Sequence, residues 1–217
     1  MKLLILRPQP GTDATAARVM AAGHTPLMMP LFAVEPVDWE APAAANYDNL
    51  LLTSANAVRQ AGANLALYRD LPLYAVGQNT ADAARQAGFE IAHIGDAGVD
   101  ALLQKLNDRR LLWLTGEDHV EPEADPTVRL DRYIVYRSAA ITLSPDFVET
   151  TQSADHVLLH SPRAASHFGD LLTEHHIERN AISIAALSPN IAQAAGSGWK
   201  SVRVAPQPTD AALLSQL

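Results

Sequence analysis

Short apolar runs alternate with stretches of helical spacing along almost the whole chain. Runs such as LLIL near the start and NLLL after residue 48 are apolar at successive positions. That is typical of strands buried on both faces of a parallel sheet. The pattern predicts strands over 2–6, 25–29, 49–52, 73–76, 90–94, 110–114, 156–160, 181–187 and 201–204. It predicts helices over 12–22, 55–67, 80–87, 99–106, 164–173, 190–195 and 209–217. Strands alternating with amphipathic helices indicate an α/β fold.

The second half of the chain repeats the first. LLLTSANAV at 50–58 resembles VLLHSPRAA at 157–165, and the alanine-rich stretch 73–89 resembles 183–199. DALL at 100–103 matches DAALL at 210–214, and KLLILRP at 2–8 faintly resembles RLLWLTG at 110–116. The offsets stay close to half of the chain length. The sequence therefore predicts two similar parallel-sheet α/β lobes that arose by internal duplication.

Two extended stretches interrupt the alternation, LFAVEPV at 31–37 and YIVYRSAAI at 133–141. Each is suited to carry the chain from one lobe to the other. If they pair, lobe 1 comprises 1–34 together with 142–217, and lobe 2 comprises 38–132. The linker would then consist of two strands, 32–37 and 133–141. We expect such lobes to hinge about the linker.

The segment 116–126 carries five carboxylates and two prolines. Prolines and dense charge disfavour a helix, so a solvated loop is expected there. His119 lies among these acids, but the spacing is no known metal-ligand pattern. We therefore expect His119 to be a surface histidine.

Composition narrows the function. The chain has 217 residues, 48% hydrophobic and 18% charged, which excludes wholesale disorder. The absence of cysteine excludes disulfides and thiolate chemistry. A net charge of −8 without a basic cluster disfavours a general nucleic-acid binder. The apolar opening run is too short for a secretory signal or a membrane span, so a cytoplasmic location is expected.

Candidate chemistry lies where strands end and helices begin. Four such corners, at 53–56, 78–80, 161–163 and 208–210, are rich in hydroxyl or amide residues. These residues are preferred helix caps, and helix N-termini also bind carboxylate or phosphate. Nucleotide-binding loops, a nucleophile elbow and HExxH spacing are absent from the sequence. His160-Ser161 suggests a serine triad but has no evident third member.

In their order and spacing these segments resemble the uroporphyrinogen-III synthase family over nearly the whole chain. The resemblance rests on Arg7-Pro8, LLLTSANAV, AVGQNTADAARQAGF, VLLHSPRAASHF and the closing Pro208-Thr209-Asp210-Ala211. It implies two flavodoxin-like lobes joined by a two-strand linker. It also implies a cofactor-independent cyclising lyase, which needs no metal and acts between the lobes on hydroxymethylbilane. In that reaction ring D is inverted through a spiro intermediate and water is lost.

The resemblance also carries over individual residues. Tyr136 on the second linker strand matches the tyrosine proposed to assist loss of the hydroxyl, and Tyr133 is the second choice, expected on the opposite strand face. The substrate-binding positions implied are Arg7, Thr53, Ser54, Ala55, Asn56, Ser161, Pro162, Arg163 and Thr209. A monomer is implied, which would receive its small-molecule substrate from the preceding deaminase.

Two other classes of function remain open at this point. A non-enzymatic two-lobe module could clamp a small anionic ligand with the same corners, but it would not need Tyr136. A flavodoxin-like regulatory domain would need an acidic cluster at its strand ends, and Asp13 alone does not supply one.

Overall fold

The structure is a computed structural model that describes residues 1–95 and 98–217. The chain divides into two compact units. Unit 1 comprises Met1–Ala33 and Ala139–Leu217, and unit 2 comprises Val34–Ser138. The chain therefore leaves unit 1, builds unit 2 and returns.

Strands and helices alternate through both units. The strands are β1 (Lys2–Ile5), β2 (Thr25–Met28), β3 (Phe32–Pro36), β4 (Asn49–Leu52), β5 (Leu73–Val76), β6 (Ile91–Gly95), β7 (Arg110–Gly116), β8 (Arg129–Ala140), β9 (His156–Leu159), β10 (Ser183–Ala186) and β11 (Ser201–Val204). The helices are α1 (Gly11–Ala21), α2 (Ala55–Gln60), α3 (Gln78–Gln86), α4 (Val99–Leu103), α5 (Phe147–Ser153), α6 (Pro162–Glu174), α7 (Pro189–Ala194) and α8 (Asp210–Leu214).

Unit 1 is built on a five-stranded parallel sheet in the order β11-β10-β9-β1-β2. Its inner strand β1, which lies between β9 and β2, is buried on both faces. Leu4 packs in a cluster with Phe147 and Phe168 on one face, while Leu3 and Ile5 pack on the other. Successive side chains of a strand point to opposite faces, which explains the unbroken apolar run in the sequence.

Unit 2 is built on a six-stranded sheet in the order β3-β8-β7-β4-β5-β6. The pairs from β8 to β6 are parallel. Leu50 and Leu52 of β4 pack in one cluster and Leu51 in another, so this sheet is also covered on both faces. The two extended stretches of the sequence are β3 and β8, which lie side by side.

The α/β prediction with parallel sheets is confirmed. In the unit 2 sheet, β4, β5 and β6 follow one another outward from β7. In the unit 1 sheet, β9, β10 and β11 follow one another outward from β1 in the same way. This arrangement is consistent with the duplication inferred from the repeats. The segment 117–128 contains no helix, as its prolines and charges predicted.

One predicted helix differs from the structure, and one helix of the structure was not predicted. The helix expected over 55–67 is two elements, α2 and a 3-10 helix at Ala63–Tyr68, because Gly62 adopts a φ of 69° that ends the first. The sequence pattern also missed α5, whose Phe147 is buried against Phe168. Within the described ranges, the helices are all too short or too polar to cross a membrane.

Candidate functional site

Three polar segments meet at the carboxyl edge of the unit 1 sheet. Because β1 and β9 are parallel neighbours, the segments that follow them emerge on the same side. Arg7 follows β1, and His160 and Ser161 follow β9. The start of α8 joins them through Asp210, whose carboxylate binds His160. In open parallel sheets this edge is where ligands bind.

The carboxylate of Asp210 is the centre of this edge. Thr15 Oγ1 donates to its Oδ2 at 2.8 Å, and Arg18 Nη1 donates to the same oxygen at 2.7 Å. His160 Nε2 donates to Oδ1 at 2.9 Å. Arg7 Nη1 lies 3.8 Å from Oδ2 and donates to Thr15 Oγ1 at 3.2 Å. The Asp210 side chain is only 6% exposed, so these four residues enclose it.

Charge and burial oppose each other at Asp210 and Arg7. Burial by itself would raise the pKa of the Asp210 carboxyl, but hydrogen bonds from His160, Thr15 and Arg18 outweigh it and lower that pKa well below its usual range. Burial lowers the pKa of the Arg7 guanidinium, and the charge of Asp210 partly offsets this. The cluster therefore holds Asp210 as an anion at neutral pH.

His160 is oriented by its bond to Asp210. A carboxylate only accepts, so Nε2 carries the proton in this bond. The side chain is 4% exposed, and its Nδ1 is buried without a hydrogen-bond partner among residues 1–95 and 98–217. The third member that a serine triad lacked in the sequence is thus present as Asp210. Ser161 does not complete the triad, because within 1–95 and 98–217 its hydroxyl makes no hydrogen bond to His160 Nδ1. Its Oγ caps α6 by accepting from Ala164 N at 3.2 Å.

The other predicted positions of unit 1 lie at helix starts. Pro162 is the first residue of α6, where its missing N–H costs no helical hydrogen bond. The guanidinium of Arg163 stacks over the ring of Phe32, with 4.6 Å between its Cζ and the ring centroid. Thr209 caps α8 by accepting from Ala212 N at 3.2 Å.

The corresponding corner of unit 2 follows β4. Thr53 Oγ1 accepts from the indole Nε1 of Trp113 at 3.1 Å, and Trp113 itself is 2% exposed. Thr53 therefore satisfies a buried donor of the neighbouring strand β7. Thr53 of the first repeat aligns with His160 of the second repeat. Both copies therefore use this position to bind a buried side chain.

The remaining predicted residues of this corner form the first turn of α2. Ser54 caps the helix by accepting from Asn56 N at 3.1 Å, and Ala55 opens it. Asn56 Oδ1 accepts from Arg59 Nη1 at 3.5 Å, a long contact. Ser54 therefore acts as a helix cap in the structure, as serine commonly does.

Tyr136 packs on Gly116, the last residue of β7. A Cβ added at Gly116 would stand 2.5 Å from Tyr136 Cζ and 2.8 Å from its hydroxyl oxygen. The Tyr136 ring therefore occupies the space that any side chain at residue 116 would need. The backbone joins the same two segments, since Glu117 N donates to Tyr136 O at 2.9 Å.

An irregularity in β8 sets the direction of Tyr136. Thr115 pairs with Ile134 but Gly116 pairs with Tyr136, so β8 has one extra residue at Val135. Tyr133 and Tyr136 consequently pack against the same core cluster, that of Leu50. The expectation that they lie on opposite faces is wrong, because strict alternation fails at a bulge.

His119 is not the surface histidine that the sequence suggested. Its side chain is 14% exposed, and its ring meets the Trp113 ring edge-on at 5.3 Å. Nδ1 contacts Gly116 O at 2.9 Å, and Arg132 Nη1 lies 2.7 Å from Nε2. Since arginine only donates, Nε2 accepts and Nδ1 donates to the carbonyl. His119 thus donates to the carbonyl of Gly116 and accepts from Arg132. Arg132 also forms an ion pair with Glu121.

Sequence reasoning missed the side chains that support these edges, namely Thr15, Arg18, Trp113 and Asp210 as the central carboxylate. The repeat drew attention to Asp210, which aligns with Asp100. The sequence could not distinguish an aspartate at a helix start from one that binds distant side chains. Throughout 1–95 and 98–217, no group of three or more histidine, aspartate or glutamate residues could hold a metal ion.

Comparisons with known proteins bear on the family and the fold of the chain. The family model described as uroporphyrinogen-III synthase HemD matches residues 13–215. The uroporphyrinogen-III synthetase structure from Helicobacter pylori 26695 is similar at 16% identity and a TM-score of 0.65, over 99% of this chain and 97% of that one. A mutant uroporphyrinogen III synthase from the extremely thermophilic bacterium Thermus thermophilus is similar at 19% identity and a TM-score of 0.54, over 99% and 96%. These likenesses support the fold. No curated protein matches the chain.

Proposed function

The chain belongs to the uroporphyrinogen-III synthase family, and we propose that it closes hydroxymethylbilane to uroporphyrinogen III with the residues of the two strand edges. The observation that carries this function is the family match over residues 13–215. The reaction loses water and inverts ring D, and it is the reaction of a cyclising lyase in tetrapyrrole biosynthesis.

The substrate carries eight carboxylates, whereas the protein has a net charge of −8. Binding must therefore depend on local donors rather than on the overall field. We assign this role in unit 1 to Arg7, Arg163 and the start of α6 at Ser161 and Pro162, with Thr209 beside Asp210. The dipole of the 13-residue α6 favours a carboxylate at this helix start.

The corner after β4 contributes in the same way. The backbone N–H of Ala55 opens α2, and the N–H of Asn56 donates to the Ser54 hydroxyl and so orients it. Thr53 is held by Trp113, so its position is fixed before substrate arrives. A preformed corner loses little conformational entropy when it binds a carboxylate.

Tyr136 is assigned the general acid. Its phenol would donate a proton to the departing hydroxyl of the bilane, which leaves as water. The electron-rich pyrrole stabilises the resulting azafulvene-like cation. Ring D then attacks the cation through its substituted carbon to give the spiro intermediate. The bond from that carbon to its original bridging carbon breaks, and the other α-carbon of ring D bonds to that bridging carbon, which closes the inverted ring. The proton lost as ring D regains its aromaticity restores the Tyr136 phenol. Most of the enzyme's contribution is to fold the bilane for this attack, which is catalysis by positioning.

The test is an isomer assay. Hydroxymethylbilane is generated in situ, purified protein is added, and the oxidised uroporphyrins I and III are separated. Unassisted closure gives isomer I, so predominant isomer III is the expected result. Isomer I alone, from protein whose fold is verified by circular dichroism, would contradict the assignment and favour an anion-binding module.

Location and partners are further parts of the proposal. As a member of a biosynthetic family, the protein is assigned to the cytoplasm and to the monomeric state, with substrate passed on by the preceding deaminase. Light scattering on the purified protein tests the monomer. Co-elution with the deaminase in the presence of bilane tests the transfer.

A further inference from the structure

We infer that Asp210 is a positioning residue, whose buried carboxylate holds the substrate-binding segments of unit 1 in one arrangement. The inference rests on the proposed function, because the segments it holds are those assigned to the substrate. It concerns a residue that touches no substrate itself, since its side chain is 6% exposed and both oxygens are already bound.

The contacts of Asp210 reach three separate parts of the chain. Thr15 and Arg18 belong to α1, Arg7 follows β1, and His160 follows β9. Asp210 itself opens α8. Residues about 50 and 195 positions away in sequence therefore meet on one carboxylate. Backbone hydrogen bonds between one pair of strands could not fix all of these segments relative to one another.

All of these contacts except that of Arg18 involve or adjoin a residue assigned to the substrate. Arg7 is itself one of them, and Thr15 Oγ1 both accepts from Arg7 and donates to Asp210. His160 directly precedes Ser161, and Thr209 directly precedes Asp210. A shift of the carboxylate would therefore move a guanidinium and two helix starts together.

Charge alone would make Asp210 unfavourable at this edge. It is a carboxylate close to a site for a polycarboxylate, and its removal would leave Arg7 and Arg18 with uncompensated positive charge. If electrostatics dominated, neutralising Asp210 would strengthen binding and lower KM. If positioning dominates, neutralising it leaves buried donors unsatisfied, lets Arg7 move, and raises KM. The two effects predict opposite signs.

The decisive variant is Asp210→Asn, assayed for KM, kcat, isomer ratio and thermal midpoint. Displacement of positioning groups by about 1 Å costs up to about 100-fold in rate. We expect kcat/KM to fall about 10–100-fold, mainly through a higher KM. Asp170→Asn is the matched control, since it removes the same charge from an exposed position on α6 in the same unit. It should retain wild-type KM.

Thr15→Val is the second variant and keeps the carboxylate. It removes one donor to Asp210 and the acceptor of Arg7 without changing side-chain volume greatly. We expect a smaller rise in KM with a native circular dichroism spectrum. If Asp210→Asn fails to fold, Thr15→Val decides alone: a raised KM supports the inference, and a wild-type KM overturns it.

The remaining outcomes are distinct. A wild-type or lowered KM in folded Asp210→Asn overturns positioning by Asp210, and so does an equal rise in Asp170→Asn. Both results would leave the proposed function intact, because the wild type still forms isomer III. If the wild type forms only isomer I, it is the proposed function that fails.

Discussion

The ring of Tyr136 lies directly on the Cα of Gly116, so that a Cβ at residue 116 would come within 2.5 Å of the ring. Glycine is therefore needed at the end of β7 for steric space rather than for an unusual backbone angle. The carbonyl of the same glycine binds His119. Gly116 thus links the tyrosine assigned as general acid to the His119–Arg132 pair.

Gly116→Ala should displace the Tyr136 ring and lower turnover. Contacts this short cannot be relieved without moving Tyr136 or the backbone of β7. We expect a fall of about 10–100-fold in kcat, of the order that follows a misplaced catalytic group. Gly95→Ala is the control at the end of β6, where the added Cβ would meet Leu102 at an ordinary 3.4 Å. Equal activity in the two variants would contradict the role of Gly116.

Tyr136→Phe should lower kcat by about 10–1000-fold, the contribution of a general acid or somewhat less. The ring and its packing on Gly116 are kept, so the fold should not change. Tyr133→Phe is the comparison, because Tyr133 packs against the same cluster and contacts Trp39 by its ring. Turnover by Tyr136→Phe at the wild-type rate would remove the phenol from the mechanism. A larger loss in Tyr133→Phe would transfer the role to Tyr133.

The stabilising effect of Asp210 should depend on pH in one direction. Its pKa is lower in the folded protein than the ordinary 3.8. The folded state thus binds the proton less tightly than the unfolded state, so stability increases with pH. The contribution of Asp210 to stability is fully present above its pKa in the unfolded state and is lost as the pH falls through its pKa in the folded state.

Urea unfolding of the wild type and of Asp210→Asn at pH 7, 5, 4 and 3 measures this contribution. The difference in unfolding free energy should be constant from pH 7 to 5 and shrink below pH 4. A constant difference down to pH 3 would contradict it.

Thr53→Val should destabilise unit 2 by leaving the indole N–H of Trp113 without its acceptor. Trp113 is 2% exposed, so water cannot readily replace Thr53. An unsatisfied buried donor costs about 1–3 kcal/mol. Chemical denaturation monitored by tryptophan fluorescence measures the loss. Thr53→Ser, which keeps the hydroxyl, should recover most of it, and equal losses in both variants would point to the lost methyl group instead.

The repeat and the apolar runs were sufficient to predict most of the fold. Strands buried on both faces must be apolar at every position, and a parallel connection needs a helix, so both leave a strong local pattern. The break at Gly62 was missed because a glycine is tolerated inside many helices. Helix α5 was missed because its polar residues hide the burial of Phe147 and Thr151.

Part of the candidate site could likewise be predicted from sequence and part could not. Sequence alone located the polar corners after β4 and β9, since helix caps and repeats are local features of the chain. It also supplied Tyr136 through the family resemblance. Only the tertiary structure decided that Asp210 accepts hydrogen bonds from Thr15, Arg18 and His160. It likewise decided that Trp113 donates to Thr53 and that a bulge in β8 places Tyr136 against Gly116. These contacts join residues far apart in sequence, and no local propensity encodes which distant donor a buried carboxylate will meet.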